Sequence, residues 1–249
     1  MRAPFRPVLP SALALALALV AAGCGGQPDL PTDDGRTVAR VNAAVAASAE
    51  QHRAVVRPVR EALDAVAALD AAVVAMGDAG TVHEAQDAFS EEATSLDAAA
   101  LPGLREQLAE LAVTIDESRA VLASARDEVD PGWARRWLEA EDAVLEAVRE
   151  DARTADAVVQ ILQRHAEVLD RVRQHVADAV TERSFYRDDE EAAAAFVVRL
   201  DPVRRQYDTA TAELTTVVEA REEATAALAA AVAAADAVWQ ARPDDQPTR

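Results

Sequence analysis

From Val38 onward the apolar residues of this chain return every three or four positions, and that spacing admits few folds. Val38, Val41, Val45, Ser48, His52, Val55, Val59, Leu63, Val66, Leu69, Val73 and Met76 follow one another mostly at alternating intervals of three and four. An α-helix turns once in about 3.6 residues, so these positions line one side of it, close to a heptad repeat. The stripe predicts a helix over 36–76. Pro58 falls inside it and is expected to kink or divide it, since proline lacks an N–H and its ring disturbs the preceding turn.

Three further stripes follow, separated by turn chemistry. Gly77-Asp78-Ala79-Gly80 closes the first, and Thr81 with Glu84 three residues on fits a capping box, in which hydroxyl and carboxylate satisfy exposed backbone N–H groups. Val82, Phe89, Leu96, Leu104, Leu108, Leu111, Ile115, Leu122 and Val129 form the second stripe, interrupted at Leu101-Pro102-Gly103-Leu104 by a kink or short turn and firmest over 104–129. Asp130-Pro131 then supplies a cap and a first-turn proline for a third helix, from Trp133 to about residue 183, whose stripe is Trp133, Trp137, Val144, Val148, Ala152, Ala155, Val159, Leu162, Leu169, Val172, Val176 and Val180. The acidic run Asp188 to Glu191 suits the N-terminus of a fourth. Its stripe runs from Phe196 through Tyr207 and Leu228 to Trp239, and Asp201-Pro202 either kinks it or splits it into 189–200 and 202–240.

Long amphipathic helices joined by short turns bury their stripes by antiparallel packing. The expected fold is therefore all-α: an elongated antiparallel bundle of about four long, partly kinked helices with coiled-coil-like packing, over 36–241. At the level of pattern it is similar to spectrin-like and coiled-coil arrays. Residues 242–249, with two prolines and two aspartates, are expected to fray as a tail.

Composition narrows the function. The chain has 44 acidic residues against 25 basic ones, a formal net charge of −19, and all the basic side chains are arginine. Such a balance disfavours nucleic acid and anionic lipid surfaces as direct partners. Aromatic residues make up 4%, too few for base-stacking platforms. Alanine is the commonest residue, so the core is expected to be shallow in side-chain area and to rely on helix length and propensity.

The N-terminal residues carry a different signal. Arg2 and Arg6 precede an apolar run, Val8 to Ala22, which is shorter than the roughly 20 residues of a membrane span. This is the layout of an export signal. The run ends at the single cysteine of the chain, which has no internal disulfide partner and is left with an intermolecular bond, a free thiol or modification. Leu19-Val20-Ala21-Ala22-Gly23-Cys24 resembles the lipobox of bacterial prolipoproteins. That resemblance implies removal of residues 1–23, a diacylglycerol group on Cys24, and a protein held at the extracytoplasmic face of a membrane. Residues 24–35, rich in Gly, Pro and Asp, are expected to form a flexible tether reaching at most about 40 Å when fully extended.

The reactive side chains do not assemble by spacing. His52, His83, His165 and His175 form no His-x-x-x-His or Glu-x-x-His pair, so neither a metal site nor a cofactor is expected. His52, on the apolar stripe, reads as a satisfied core or border residue. Glu91-Glu92, Glu139-Glu141-Asp142, Asp188 to Glu191 and Glu222-Glu223 read as solvated faces and caps. No serine or cysteine sits in a nucleophile motif and no glycine-rich phosphate cradle follows a strand, so enzyme activity is not expected. Trp133, Trp137, Phe185, Tyr186 and Trp239 have two readings, as plugs at the bundle ends or as an aromatic contact patch for a partner. Up-down topology puts Trp239 near the Trp133 end.

The expected function is accordingly a non-enzymatic, lipid-anchored helical protein of the bacterial cell envelope, acting as spacer, adaptor or assembly partner. It touches the membrane through Cys24 and, by its coiled-coil patterning, meets a protein partner or a second copy. The alternative is a non-catalytic ligand- or metal-binding lipoprotein.

Overall fold

The computed structural model describes residues 33–78, 99–129, 132–182 and 190–243. They form four helices, α1 (Asp33–Asp78), α2 (Leu101–Glu128), α3 (Trp133–Glu182) and α4 (Glu190–Gln240), with no strand among the described residues. The helices pack against one another as an all-α bundle.

The helix ends follow the local chemistry with a few shifts. α1 starts at Asp33, so the last three residues of the expected tether are already helical; acidic residues at a helix N-terminus oppose its partial positive charge favourably. Pro58 and Pro202 both lie inside continuous helices. Neither proline divides its helix; around Pro58 the buried Val55, Val56, Val59 and Val66 supply packing that offsets the lost hydrogen bond. Leu101-Pro102-Gly103 is the first turn of α2, entered with a bond from the Leu104 N–H to the Ala100 carbonyl. Proline is tolerated there because a first-turn N–H has no intrahelical acceptor. The capping box at Thr81, the stripe positions 82, 89 and 96, and Asp130-Pro131 lie outside the described residues.

The chain divides into two compact units. Of the described residues, unit one takes 33–56, 106–156 and 219–243, and unit two takes 57–78, 99–105, 157–182 and 190–218. In unit one, neighbouring helices run antiparallel: Thr37 and Arg40 of α1 reach Glu128 near the end of α2, Arg126 and Arg119 of α2 meet Asp142 of α3, and Trp133 of α3 meets Val238 of α4. Unit two shows the same sense for α3 and α4 through Arg164–Glu213 and Arg171–Gln206, each 2.7 Å.

The stripes read from sequence are largely the buried faces, with Leu63, Val129, Thr211, Val218 and Thr225 only half-buried. In α1, Val38, Val41, Val45, Ser48, His52, Val55, Val59 and Val66 are all buried; in α2, so are Leu101, Leu104, Leu108, Leu111, Ile115, Ser118, Leu122 and Ala125. The intervals in α2 alternate three and four without exception. α3 buries a broader face, adding Leu138, Glu141, Leu145, Asp151, Val158 and Ile161 to the expected positions. Unit two closes on Val158, Ile161, Leu162, Val168, Val203, Tyr207 and Leu214, with the His165 and Tyr207 rings edge to face at 5.2 Å. The outward face of α4 is largely alanine from 226 to 237, which favours helix while adding little to the core.

Candidate functional site

Several buried polar side chains of unit one gather in one part of its interior. α1 brings Ser48 and His52, one turn apart on the same face, because the stripe spacing that buries Val45 and Val55 also buries the two residues between them. α2 brings Ser118, α3 brings Asp151, and α4 brings Arg221 and Thr225. Ser48, His52, Ser118 and Asp151 are each 3% exposed or less.

Asp151 is the centre of this layer. Its Oδ2 lies 2.7 Å from His52 Nε2, its Oδ1 accepts from Thr225 Oγ1 at 2.7 Å, and Arg221 Nε stands 4.0 Å from Oδ1. Burial is the largest influence on this carboxyl and pushes it up. The hydrogen bond from His52, the attraction of Arg221 and His52, and the Thr225 hydroxyl together outweigh burial and hold it below the ordinary carboxylate range. An ionised carboxylate only accepts, so His52 donates through Nε2.

The serines form a second, closed chain. Ser118 Oγ donates to the Ala44 carbonyl at 2.9 Å, and its oxygen stands 2.9 Å from Ser48 Oγ. A hydroxyl has one hydrogen, so Ser48 is the donor between the two. Serine, histidine and aspartate thus share one layer, yet no hand-off from hydroxyl to imidazole is formed. Ser48 gives its hydrogen to Ser118, and the imidazole turns Nε2 to Asp151. The layer is also closed to solvent. Nucleophilic catalysis needs a base within reach of its nucleophile and a place for the reacting group, and this geometry offers neither.

Beside the layer, Val45, Ala49, Val144, Val148, Leu228, Glu141 and Asp236 are among the residues lining a cavity of about 20 Å³. That holds about one water, far short of the several hundred Å³ of an organic ligand site. Glu141, expected on a solvated face, is 2% exposed and accepts from Trp137 Nε1 at 2.8 Å. The broad buried face of α3 includes position 141, and the indole N–H supplies the partner that a buried carboxylate needs. Asp142 meets Arg119 and Arg126 instead. Among the described residues no group of three His, Cys, Asp or Glu is placed to hold a metal ion.

The tryptophans come together at one end of unit one. Trp133 and Trp137 stack at 6.0 Å, and Trp239 meets them at 5.2 and 5.4 Å, tilted by about 60°. Trp133 Nε1 donates to the Val238 carbonyl at 2.7 Å, and the Arg242 guanidinium sits 5.4 Å from the Trp239 ring centre. All three indoles are buried, at 6%, 1% and 8% exposure. Up-down order brings Trp239 to the Trp133 end, and the rings turn to one another rather than outward. Phe185, Tyr186, Cys24 and His83 lie outside the described residues.

Thr225 falls on the fourth apolar stripe, whereas Asp151, Ser118 and Arg221 were not singled out by sequence. Ser118 had a signal, since it fills the gap in the stripe between Ile115 and Leu122. Asp151 neighbours the stripe position Ala152 but is one charged residue among many, and only the width of the buried face of α3 separates it from solvated carboxylates. No family model, curated protein or solved structure matches the chain.

Proposed function

We propose that this protein is a lipid-anchored, extracytoplasmic helical spacer or adaptor of the bacterial envelope, without catalytic activity, tethered through Cys24. The observation that supports the non-catalytic half is the geometry of the unit-one layer: Ser48 bonds Ser118 and His52 bonds Asp151 through Nε2, each 3% exposed or less, while His52 Nδ1 meets no hydroxyl, beside a cavity with room for about one water. The anchoring half rests on the leader ending at Gly23-Cys24. It is compatible with the helices, since among the described residues none is long and apolar enough to cross a membrane. Val113 and Val198 are the large apolar side chains left exposed among the described residues, and they belong to different units.

Fractionation of cells expressing the full chain, with mass spectrometry of the N-terminal peptide, tests the anchor. The expected result is membrane-associated protein that begins at an acylated Cys24. A soluble mature form beginning elsewhere refutes it. In-membrane crosslinking then identifies what the helices present themselves to.

A further inference from the structure

The three tryptophans and the start of α1 lie at the same end of unit one. Thr37 and Arg40 of α1 meet Glu128 at the end of α2, Arg135 at the start of α3 donates to the Arg126 carbonyl at 3.4 Å, and Trp133 meets Val238 near the end of α4. Eight residues separate Cys24 from Asp33, where α1 begins. A chain held at Cys24 therefore keeps the start of α1 within about 30 Å of its anchor.

Charge is divided unevenly along this unit. In the last turns of each helix toward the tryptophan end, residues 33–43, 119–129, 133–143 and 232–243, seven arginines stand against eight carboxylates. In the next stretch inward, 44–56, 106–118, 144–156 and 219–231, four stand against twelve, so the net charge of −19 conceals an end that is close to neutral. Several carboxylates at this end are already engaged. Glu128 pairs with Arg40, Asp142 with Arg119 and Arg126, and the buried Glu141 accepts from Trp137. Arg135 and Arg136 are exposed, Arg242 is half-buried over the Trp239 ring, and none of the three is in an ion pair among the described residues. Against them stand Asp127 and Glu139, exposed at the same end.

We propose that the tryptophan end of unit one is a footing for an anionic bilayer: Arg135 and Arg136 at the start of α3 and Arg242 just after α4 meet lipid phosphates, while the acidic stretch inward is repelled from the same surface. The proposal rests on the anchor at Cys24, which brings this end close; the charge asymmetry then sets which way the unit faces. Arginine suits the task, since its planar fork of N–H donors matches two phosphate oxygens at once.

The test couples the full chain through its single cysteine, Cys24, to a maleimide phospholipid in vesicles that also carry a dansyl-labelled lipid. All three tryptophans of the chain sit at the footing, so energy transfer from indole to dansyl reads its approach to the bilayer. Vesicles of phosphatidylcholine alone are compared with vesicles that are one-third phosphatidylglycerol. Transfer is expected to be higher on the anionic vesicles and to fall to the neutral level in high salt, which screens exposed charges. Each arginine is expected to favour the docked orientation about fivefold. Arg135→Gln with Arg136→Gln and Arg242→Gln should abolish the difference, whereas Arg135→Lys with Arg136→Lys and Arg242→Lys should keep most of it. Asp127→Asn with Glu139→Gln should raise transfer on the anionic vesicles further, an arm that holds even if the glutamine variant fails to fold. The footing is overturned if the unaltered chain gives equal or lower transfer on the anionic vesicles, if high salt leaves the difference in place, or if the glutamine variant keeps both its helix and the difference. Because the tether is supplied chemically, these outcomes leave the anchor in cells untouched, and a soluble, unacylated protein in cells removes the anchor without bearing on the vesicle result.

Discussion

Ser48 of α1 hands its hydroxyl hydrogen to Ser118 of α2 across 2.9 Å, and Ser118 hands its own back to the α1 carbonyl of Ala44. The pair therefore ties two helices with two hydrogen bonds and leaves neither hydroxyl idle. Removing one partner should cost about 1 kcal/mol. Ser48→Ala should cost less than Ser118→Ala, because Ser118 keeps its bond to Ala44. In the double variant both polar groups are gone and no donor is stranded, so its loss should not exceed that of the worse single variant. Denaturant midpoints of the four proteins check this; additive losses would show that the serines act independently.

Trp239 completes the indole cluster at 5.2 and 5.4 Å from its two neighbours. Trp239→Ala should cost about 3–5 kcal/mol, the range for emptying a buried large aromatic site. Trp133→Phe keeps a ring in place but forfeits the bond to the Val238 carbonyl, and should cost about 1 kcal/mol beyond any packing change. Thermal unfolding ranks the two, and near-UV circular dichroism should lose most of its tryptophan signal in Trp239→Ala.

Asp151 gives the fold an acid limit. Its carboxyl is held below the ordinary range in the folded protein, so the stabilisation it brings is present above the unfolded value of about 3.9 and is lost as pH falls through the folded value. Unfolding free energy of the intact protein should therefore drop below about pH 4. Asp151→Asn should be less stable at neutral pH, since it removes the charge that faces His52 and Arg221, and should lose less on further acidification. Denaturant titrations from pH 7 to pH 2 test the sign; parallel curves for the two proteins would remove Asp151 from the account.

Gly103 lies in the first turn of α2, and a Cβ there would meet nothing within 4 Å. Its backbone has no need of glycine, so Gly103→Ala should stabilise by about 0.5–1 kcal/mol through the lower entropy of the unfolded chain and better helix propensity. A raised denaturation midpoint with an unchanged slope is the expected reading. A lowered midpoint would mean that the helix entry, with Pro102 before it, depends on glycine.

Much of the architecture was legible because helix burial has a period. Between Val38 and Val66 every stripe position except the half-buried Leu63 is inside, as are Leu104 to Leu122, and the Trp239–Trp133 contact follows from counting helices. Proline effects were less legible. Pro58 and Pro202 carry a local cost that the sequence shows and a compensation from packing that it does not, so a kink or break was as readable as the continuous helices that form. Glu141 and Asp151 were illegible for a related reason, since one carboxylate in a chain of 44 acidic residues looks like any other until the neighbouring helix is in place.

Sequence by itself determined the helices, their faces and the antiparallel order, because these depend on residue spacing and on turn chemistry within a few residues. It also carries the N-terminal apolar run ending at Cys24, whose resemblance to a lipobox is the ground of the proposed anchor. Tertiary structure alone decided which polar groups meet. His52 and Asp151 are 99 positions apart in sequence, and a hydrogen bond of 2.7 Å between them depends on the alignment of two helices. Apolar contacts are non-directional, whereas a buried carboxylate needs its donors at hydrogen-bond distance, so this pairing rests on a tertiary alignment that residue spacing does not carry.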